Sequence, residues 1–172
     1  HQVRVAVDEA RAAGRLPAPL ERLFAGALRA GRRSRSWLPE RPRSLADRAL
    51  EAIARGSGEV LDGREVLVVG AGRMGTLVAR AAANAGATVR VANRSPGAAL
   101  TLAGSVGGRV SPLDPGTADR APAAVVLAIR GRWEVSAGTV DHLIRNGTWV
   151  ADLSVPPAVD QAVADAFGAR LI

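Results

Sequence analysis

Val66-Leu67-Val68-Val69-Gly70-Ala71-Gly72-Arg73-Met74-Gly75, followed by Val89-Arg90-Val91-Ala92-Asn93-Arg94-Ser95, is the part of this 172-residue chain that says most about its fold. The first run reads as a buried strand entering a Gly-x-Gly-x-x-Gly turn and then a helix. The second reads as a further strand whose end, about twenty residues on, carries Asn-Arg-Ser. In this pattern the glycines allow a tight turn, close approach of backbone to a pyrophosphate, and close packing of helix on strand. The helix N-terminus, with free N–H groups and its dipole, favours an anion. An acidic residue after the second strand would accept from a ribose 2′-hydroxyl; Arg94 stands there instead and offers the cation that a 2′-phosphate needs. Gly70, Ala71, Gly72, Arg73, Met74 and Gly75, with Asn93, Arg94 and Ser95, are therefore candidate dinucleotide contacts, and the cofactor indicated is NADP(H). The competing reading is a turn whose glycines serve conformation alone and bind nothing.

Working outward, the segment from residue 59 onward alternates strand and helix, the signature of a parallel sheet with crossover helices. Strands are expected at 65–69, 88–92, 123–129 and 148–152, with short ones near 108–110 and 170–172. Helices are expected at about 74–85, 97–105, 136–146 and 157–167. The strands are apolar runs without alternation, as fits a sheet covered on both faces. The predicted fold class is thus α/β, a Rossmann-like doubly wound parallel sheet preceded by an N-terminal helical segment.

Upstream, Val3, Val7 and Ala10 recur at helical spacing until Gly14, and Pro17 and Pro19 end that helix. Leu20, Leu23, Phe24, Ala27 and Leu28 form the stripe of a second helix, predicted to stop near Gly31. A basic stretch, Arg32-Arg33-Ser34-Arg35-Ser36-Trp37, follows and is closed by Pro39 and Pro42. Ser44 and Asp47 predict a capping box for a third helix with Leu45, Ala49, Leu50 and Ile53 as its apolar face. The expected domains are residues 1–58, helical, and 59–172, the dinucleotide-binding unit.

Composition narrows the function. Hydrophobic residues make up 48% of the chain, with no apolar run long enough for a membrane span, and nothing reads as a signal peptide. A soluble cytoplasmic protein without a membrane partner is the expectation. With no Cys, thiolate nucleophiles and disulfides are excluded within these residues, and His1 and His142 are too few for a zinc site. Residues 1–43 hold ten Arg against four acids, while residues 44–172 hold thirteen against twelve; there is no Lys. That asymmetry suggests a polyanionic partner for the N-terminal segment. Arg32, Arg33 and Arg35 are candidates for RNA phosphates and Trp37 for base stacking. The alternative is a solvated helix end, with Trp37 packed in a seam.

An ordered set of motifs resembles glutamyl-tRNA reductase over nearly the whole chain. The set comprises Gln2-Val3-Arg4, Leu23-Phe24 with Ala27, Gly31-Arg32-Arg33-Ser34-Arg35, Ser44-Leu45, the glycine turn, and Ala92-Asn93-Arg94-Ser95. It ends with Asp152-Leu153-Ser154-Val155-Pro156-Pro157-Ala158-Val159-Asp160. That family reduces glutamyl-tRNA to glutamate-1-semialdehyde with NADPH, at the start of one tetrapyrrole route. It has a catalytic domain with a Cys nucleophile, a central NADPH domain and a C-terminal helical dimerisation domain. The resemblance implies the end of the catalytic domain followed by the NADPH domain, so that the Cys would lie upstream of His1 and the dimerisation helices downstream of Ile172. The absence of an initiating Met is consistent with a portion of a longer protein. The resemblance further implies glutamyl-tRNA as substrate of the complete enzyme, Gln2 in the substrate pocket, and Ala128, Ile129, Val155 and Pro156 beside the cofactor. A homodimer is expected only if the dimerisation helices are present.

Two departures stand out. His1 occupies a position where the family usually has Gly, and Ala128-Ile129-Arg130 replaces the small hydroxylated residues that follow this strand. Arg130 either crowds the nicotinamide, meets a phosphate or an acidic neighbour, or is a solvated loop residue. His142 reads as a surface residue, Asp160 as a helix cap, and Asp152 either as a ligand-facing group at a strand end or as a cap for the turn before Pro156. Two function classes follow: the NADPH-binding portion of the reductase, or a reductase-like cofactor- or partner-binding module without the reaction. A third, an NADP dehydrogenase of the shikimate dehydrogenase type, shares the Asn-Arg motif but does not account for residues 1–43.

Overall fold

The computed structural model describes residues 2–36, 43–117 and 120–172; Trp37 and the side chains of Gln2, Arg32 and Arg35 lie outside the described set. Two helices come first, α1 (Gln2–Ala12) and α2 (Ala18–Ser36), parted where Gly14 turns left-handed at φ 64° and prolines follow. An Arg11 Nε to Glu21 hydrogen bond of 2.7 Å ties the pair. α2 does not stop near Gly31. An isolated helical glycine costs only about 1 kcal/mol relative to alanine, and Ala30 and the following arginines propagate the helix. The basic stretch up to Ser36 is therefore helical rather than a connection.

The third helix, α3 (Leu45–Ser57), begins at the expected capping box. The Asp47 amide donates to Ser44 Oγ (3.2 Å) while the Ser44 amide donates to Asp47 Oδ2 (2.8 Å). It ends at Gly58, with φ 70°. Its buried face of Ala46, Ala49, Leu50 and Ile53 joins the core of the sheet. The chain divides into compact units at Pro42 and Arg43, so α3 belongs with the sheet, whereas the sequence reading grouped it with the N-terminal helices. Gly56 shows why: a Cβ there would run into the Trp149 ring, so the helix lies directly on the last strand.

The sheet contains β1 (Glu65–Val69), β2 (Thr88–Ala92), β3 (Arg109–Val110), β4 (Ala124–Leu127) and β5 (Trp149–Asp152), all parallel, in the order β3-β2-β1-β4-β5. β1 to β2 are joined by α4 (Arg73–Asn84), β2 to β3 by α5 (Pro96–Ser105) and β4 to β5 by α6 (Ala137–Arg145); α7 (Gln161–Phe167) follows β5. The core falls into two clusters. Val66, Val68, Val89 and Val91 pack with α3, α4 and α5, and Leu67, Val69, Val125 and Leu127 pack with α6 and α7. Successive strand residues face opposite layers, and both layers are apolar, which is why the sequence shows runs rather than alternation. Among the described residues one charged side chain is buried there: Arg90 donates to Glu65 Oε1 (3.0 Å) and Ser111 Oγ (2.8 Å).

Three elements are shorter than the sequence suggested by more than one residue at an end. β4 ends at Leu127, the segment at 170–172 contributes a single bridge from Leu171 to Val150, and the last helix starts at Gln161 rather than 157. Residues 153–160 are instead a loop gathered by the Asp152 carboxylate, and Asp160 caps the helix by accepting from the Val163 amide (2.8 Å). No helix among the described residues is long and apolar enough to cross a membrane.

Candidate dinucleotide site

The strand order reverses between β1 and β4, the point at which doubly wound sheets open a crevice at their carboxyl ends. A cleft of about 810 Å³ lies there, floored by Gly70, Ala71, Gly72, Arg73 and Met74, with Asn93 and Arg94 on the β2 side and Ala128, Ile129 and Arg130 on the β4 side. The glycines do different things. A Cβ on Gly75 would fall on the Gly70 carbonyl oxygen, and one on Gly70, with φ 114°, would strike the Ala128 carbonyl oxygen and stand 3.0 Å from Ile129 Cγ2. A Cβ on Gly72 would meet nothing within 4 Å. Gly72 is also the N-cap of α4, with no side-chain cap and no acid in the first turn. The helix N-terminus is thus open towards the cleft, an arrangement that fits an anion approaching the backbone.

Asn93 and Arg94 come from the turn after β2. Asn93 Oδ1 accepts from the Ala71 amide (3.2 Å) and its Nδ2 donates to the Ser95 carbonyl (3.2 Å), so this side chain braces the glycine turn from within the protein. Arg94 is exposed, and its Nη2 reaches the Arg130 carbonyl oxygen at 3.2 Å. Gly75 lies buried beneath the turn, and Ser95 is the N-cap of α5; neither lines the cleft. Val155, 91% exposed, and Pro156 are likewise outside its lining.

Leu113, Asp114, Arg132 and Glu134 also line the cleft, and sequence reasoning had not singled them out. Asp114 accepts from the Thr139 hydroxyl (2.5 Å) and from the amides of Ser136 (3.0 Å) and Gly116 (3.0 Å). Burial pushes its carboxyl up, but the Thr139 hydroxyl and these amides outweigh it and hold the carboxyl below the ordinary value. The Asp114-Pro115-Gly116 turn was a visible signal, since Asp accepts from the amide two residues on. Arg132 pairs with Asp160, and the buried Trp133 donates its indole N–H to the Leu113 carbonyl (3.0 Å).

Asp152 resolves as the organiser of the loop after β5. Its carboxylate takes the amides of Ser154 (2.9 Å), Ala158 (2.6 Å) and Val159 (3.2 Å), and Ser154 Oγ in turn accepts from the Ile129 amide (3.2 Å). His142 sits on α6 against Asn146, away from the cleft. Arg33 is an exposed residue of α2.

Parallel strand order, glycine turn and crevice together define a Rossmann-type domain of the dehydrogenase kind. A family model described as shikimate / quinate 5-dehydrogenase matches residues 52–172, and the chain belongs to that family. Over its whole length it is homologous to glutamyl-tRNA reductases. It is 38% identical over 186 residues to the one from Kineococcus radiotolerans, covering 99% of this chain and 40% of the relative. Among solved structures it is similar to glutamyl-tRNA reductase from Methanopyrus kandleri, with TM-score 0.59 and 29% identity over 99% of this chain and 44% of that one. It is also similar to shikimate 5-dehydrogenase from Thermus thermophilus in complex with NADP(H) and shikimate, with TM-score 0.54 and 28% identity over 74% of this chain and 49% of that one. The chain therefore spans about two fifths of the length of the curated relatives it matches. The shikimate dehydrogenase likeness covers the sheet domain, while the match to the reductases includes the N-terminal helices as well.

Proposed function

We propose that this chain is the NADP(H)-binding portion of a glutamyl-tRNA reductase, which reduces glutamyl-tRNA to glutamate-1-semialdehyde. The observation that carries it is the convergence of three features on one cleft: the uncapped N-terminus of α4, the open space over Gly72, and Arg94 after β2. A pyrophosphate is received by the amides at the start of α4, and a ribose 2′-phosphate by Arg94. The cofactor, when bound, supplies hydride. Asn93 keeps the glycine turn closed against β2, and the Ser154 and Asp152 contacts hold the backbone at Ile129 in place. The NADP(H) complex of the similar shikimate 5-dehydrogenase supports the NADP-type assignment.

No residue of this chain supplies a thiolate, so the acyl transfer from tRNA requires a Cys outside it. Purified chain given glutamyl-tRNA and NADPH is expected to bind the cofactor and form no semialdehyde; semialdehyde formation would overturn the division of labour. A second reading, a binding module that retains the fold without the reaction, is favoured by one feature: Ile129 packs its Cγ2 over Gly70, and Arg130 follows where small hydroxylated residues were expected. An NADPH-loaded protein that fails to reduce glutamyl-tRNA even when joined to a competent Cys domain would select that reading.

A further inference from the structure

We propose that Arg130 is a second guanidinium for the ribose 2′-phosphate, sharing that anion with Arg94 and strengthening the preference for NADP(H) over NAD(H). The proposal rests on the NADP(H) assignment above and adds a residue to it. β2 and β4 are the two neighbours of β1, so the turns that follow them face each other across the glycine turn. The Arg94 side chain crosses that opening: its Nη2 donates to the Arg130 carbonyl oxygen at 3.2 Å, which brings the tip of residue 94 to the backbone of residue 130. Gly131 completes the seat. It has φ 86°, and a Cβ there would stand 3.2 Å from Arg94 Nη2, so a side chain at this position would be strained and would press on the guanidinium.

The charges of the cleft leave Arg130 over. Four arginines line it, Arg73, Arg94, Arg130 and Arg132, with the acids Asp114 and Glu134. Asp114 is engaged by Thr139, Ser136 and Gly116, and Arg132 is paired with Asp160. Among the described residues the Arg130 guanidinium has no hydrogen bond or ion pair, and the backbone carbonyl of the same residue is where Arg94 is anchored. The pyrophosphate has its own donors at the start of α4, with Arg73 as first residue, and does not call for Arg130. A phosphate monoester carries about −1.5 to −2 charges near neutral pH and three acceptor oxygens. One arginine with a donor already given to a carbonyl matches about half of that; a second planar fork matches the rest.

The test is calorimetric titration of the intact chain with NADPH and NADH, for wild type, Arg130→Ala, Arg130→Lys, Arg94→Ala and the Arg94→Ala/Arg130→Ala double variant, with circular dichroism to confirm folding. Arg130→Ala is expected to weaken NADPH about tenfold, the scale of one charge-assisted contact, and to leave NADH unchanged. Lysine should restore part of the loss, and the effect of Arg130→Ala should shrink once Arg94 is removed, because both act on one anion. A wild-type preference for NADPH that Arg130→Ala leaves intact, or an equal loss for NADH, overturns this proposal alone. Equal wild-type affinity for the two cofactors overturns the NADP(H) assignment and this proposal together.

Discussion

A Cβ at Gly72 meets no atom within 4 Å, whereas at Gly70 or Gly75 it strikes a backbone carbonyl oxygen. Substitution separates these roles. Gly75→Ala should cost about 1–3 kcal/mol in urea unfolding, since the added methyl overpacks a buried contact. Gly72→Ala should leave stability within about 1 kcal/mol and weaken the cofactor instead, because its methyl stands where a pyrophosphate approaches. Arg94→Ala should remove most of the preference for NADPH while leaving the fold intact; an unchanged ratio of NADPH to NADH affinity would contradict it. At this scale the sequence was informative about residue type and blind to direction. Arg94, Asn93 and the glycines Gly70 and Gly72, all expected as dinucleotide contacts, line the cleft, and Asn93 spends both ends of its amide on the protein's own backbone. Asp114 left a local trace in its Asp-Pro-Gly turn, but its place at the cleft did not show, because its partners Ser136 and Thr139 lie more than twenty residues away.

The elements show where local signals suffice. The Ser44 and Asp47 capping box was legible because both partners sit within four residues, and α3 starts there. Ser44→Ala should cost about 1 kcal/mol in thermal or urea unfolding. The Ser44 hydroxyl and amide hold the Asp47 carboxyl below its ordinary value of 3.8. A depressed folded value means that this contribution is present above the ordinary aspartate range and fades as the pH falls through the folded value. Unfolding followed from pH 7 down to pH 2 should therefore show less acid sensitivity in Asp47→Asn than in wild type below about pH 4. Other boundaries depended on long-range partners. α2 passes through Gly31 because nothing at that position forces a left-handed turn, and the loop at 153–160 exists because Asp152 gathers amides up to seven residues ahead. Neither cause leaves a periodic trace in the sequence.

At the level of the molecule, the unit from Arg43 to Ile172 contains α3, the sheet and the whole cleft. A chain beginning at Arg43 should therefore unfold cooperatively, and Ile53→Ala within it should cost about 2–5 kcal/mol as a buried large-to-small change. The α/β order and the crevice were legible from the glycine turn and the strand runs; the membership of α3 was not, because an amphipathic helix does not announce which surface it covers. The N-terminal helices carry the excess of arginine, and Arg32, Arg33 and Arg35 are proposed to contact tRNA phosphates. Binding to tRNA should then weaken with salt at a log–log slope near −0.9 per phosphate, and replacing all three with alanine should flatten it by about two to three units. Equal, shallow slopes would mean that the stretch is only a solvated helix end. The central claim, that the cleft at the β1–β4 switch point takes NADP(H), is tested most directly by titrating the wild-type chain with NADPH and NADH in a calorimeter. The account predicts saturable binding with NADPH favoured by about tenfold or more, the scale of a charge-assisted phosphate contact; equal affinity for the two, or no binding of either, would contradict it.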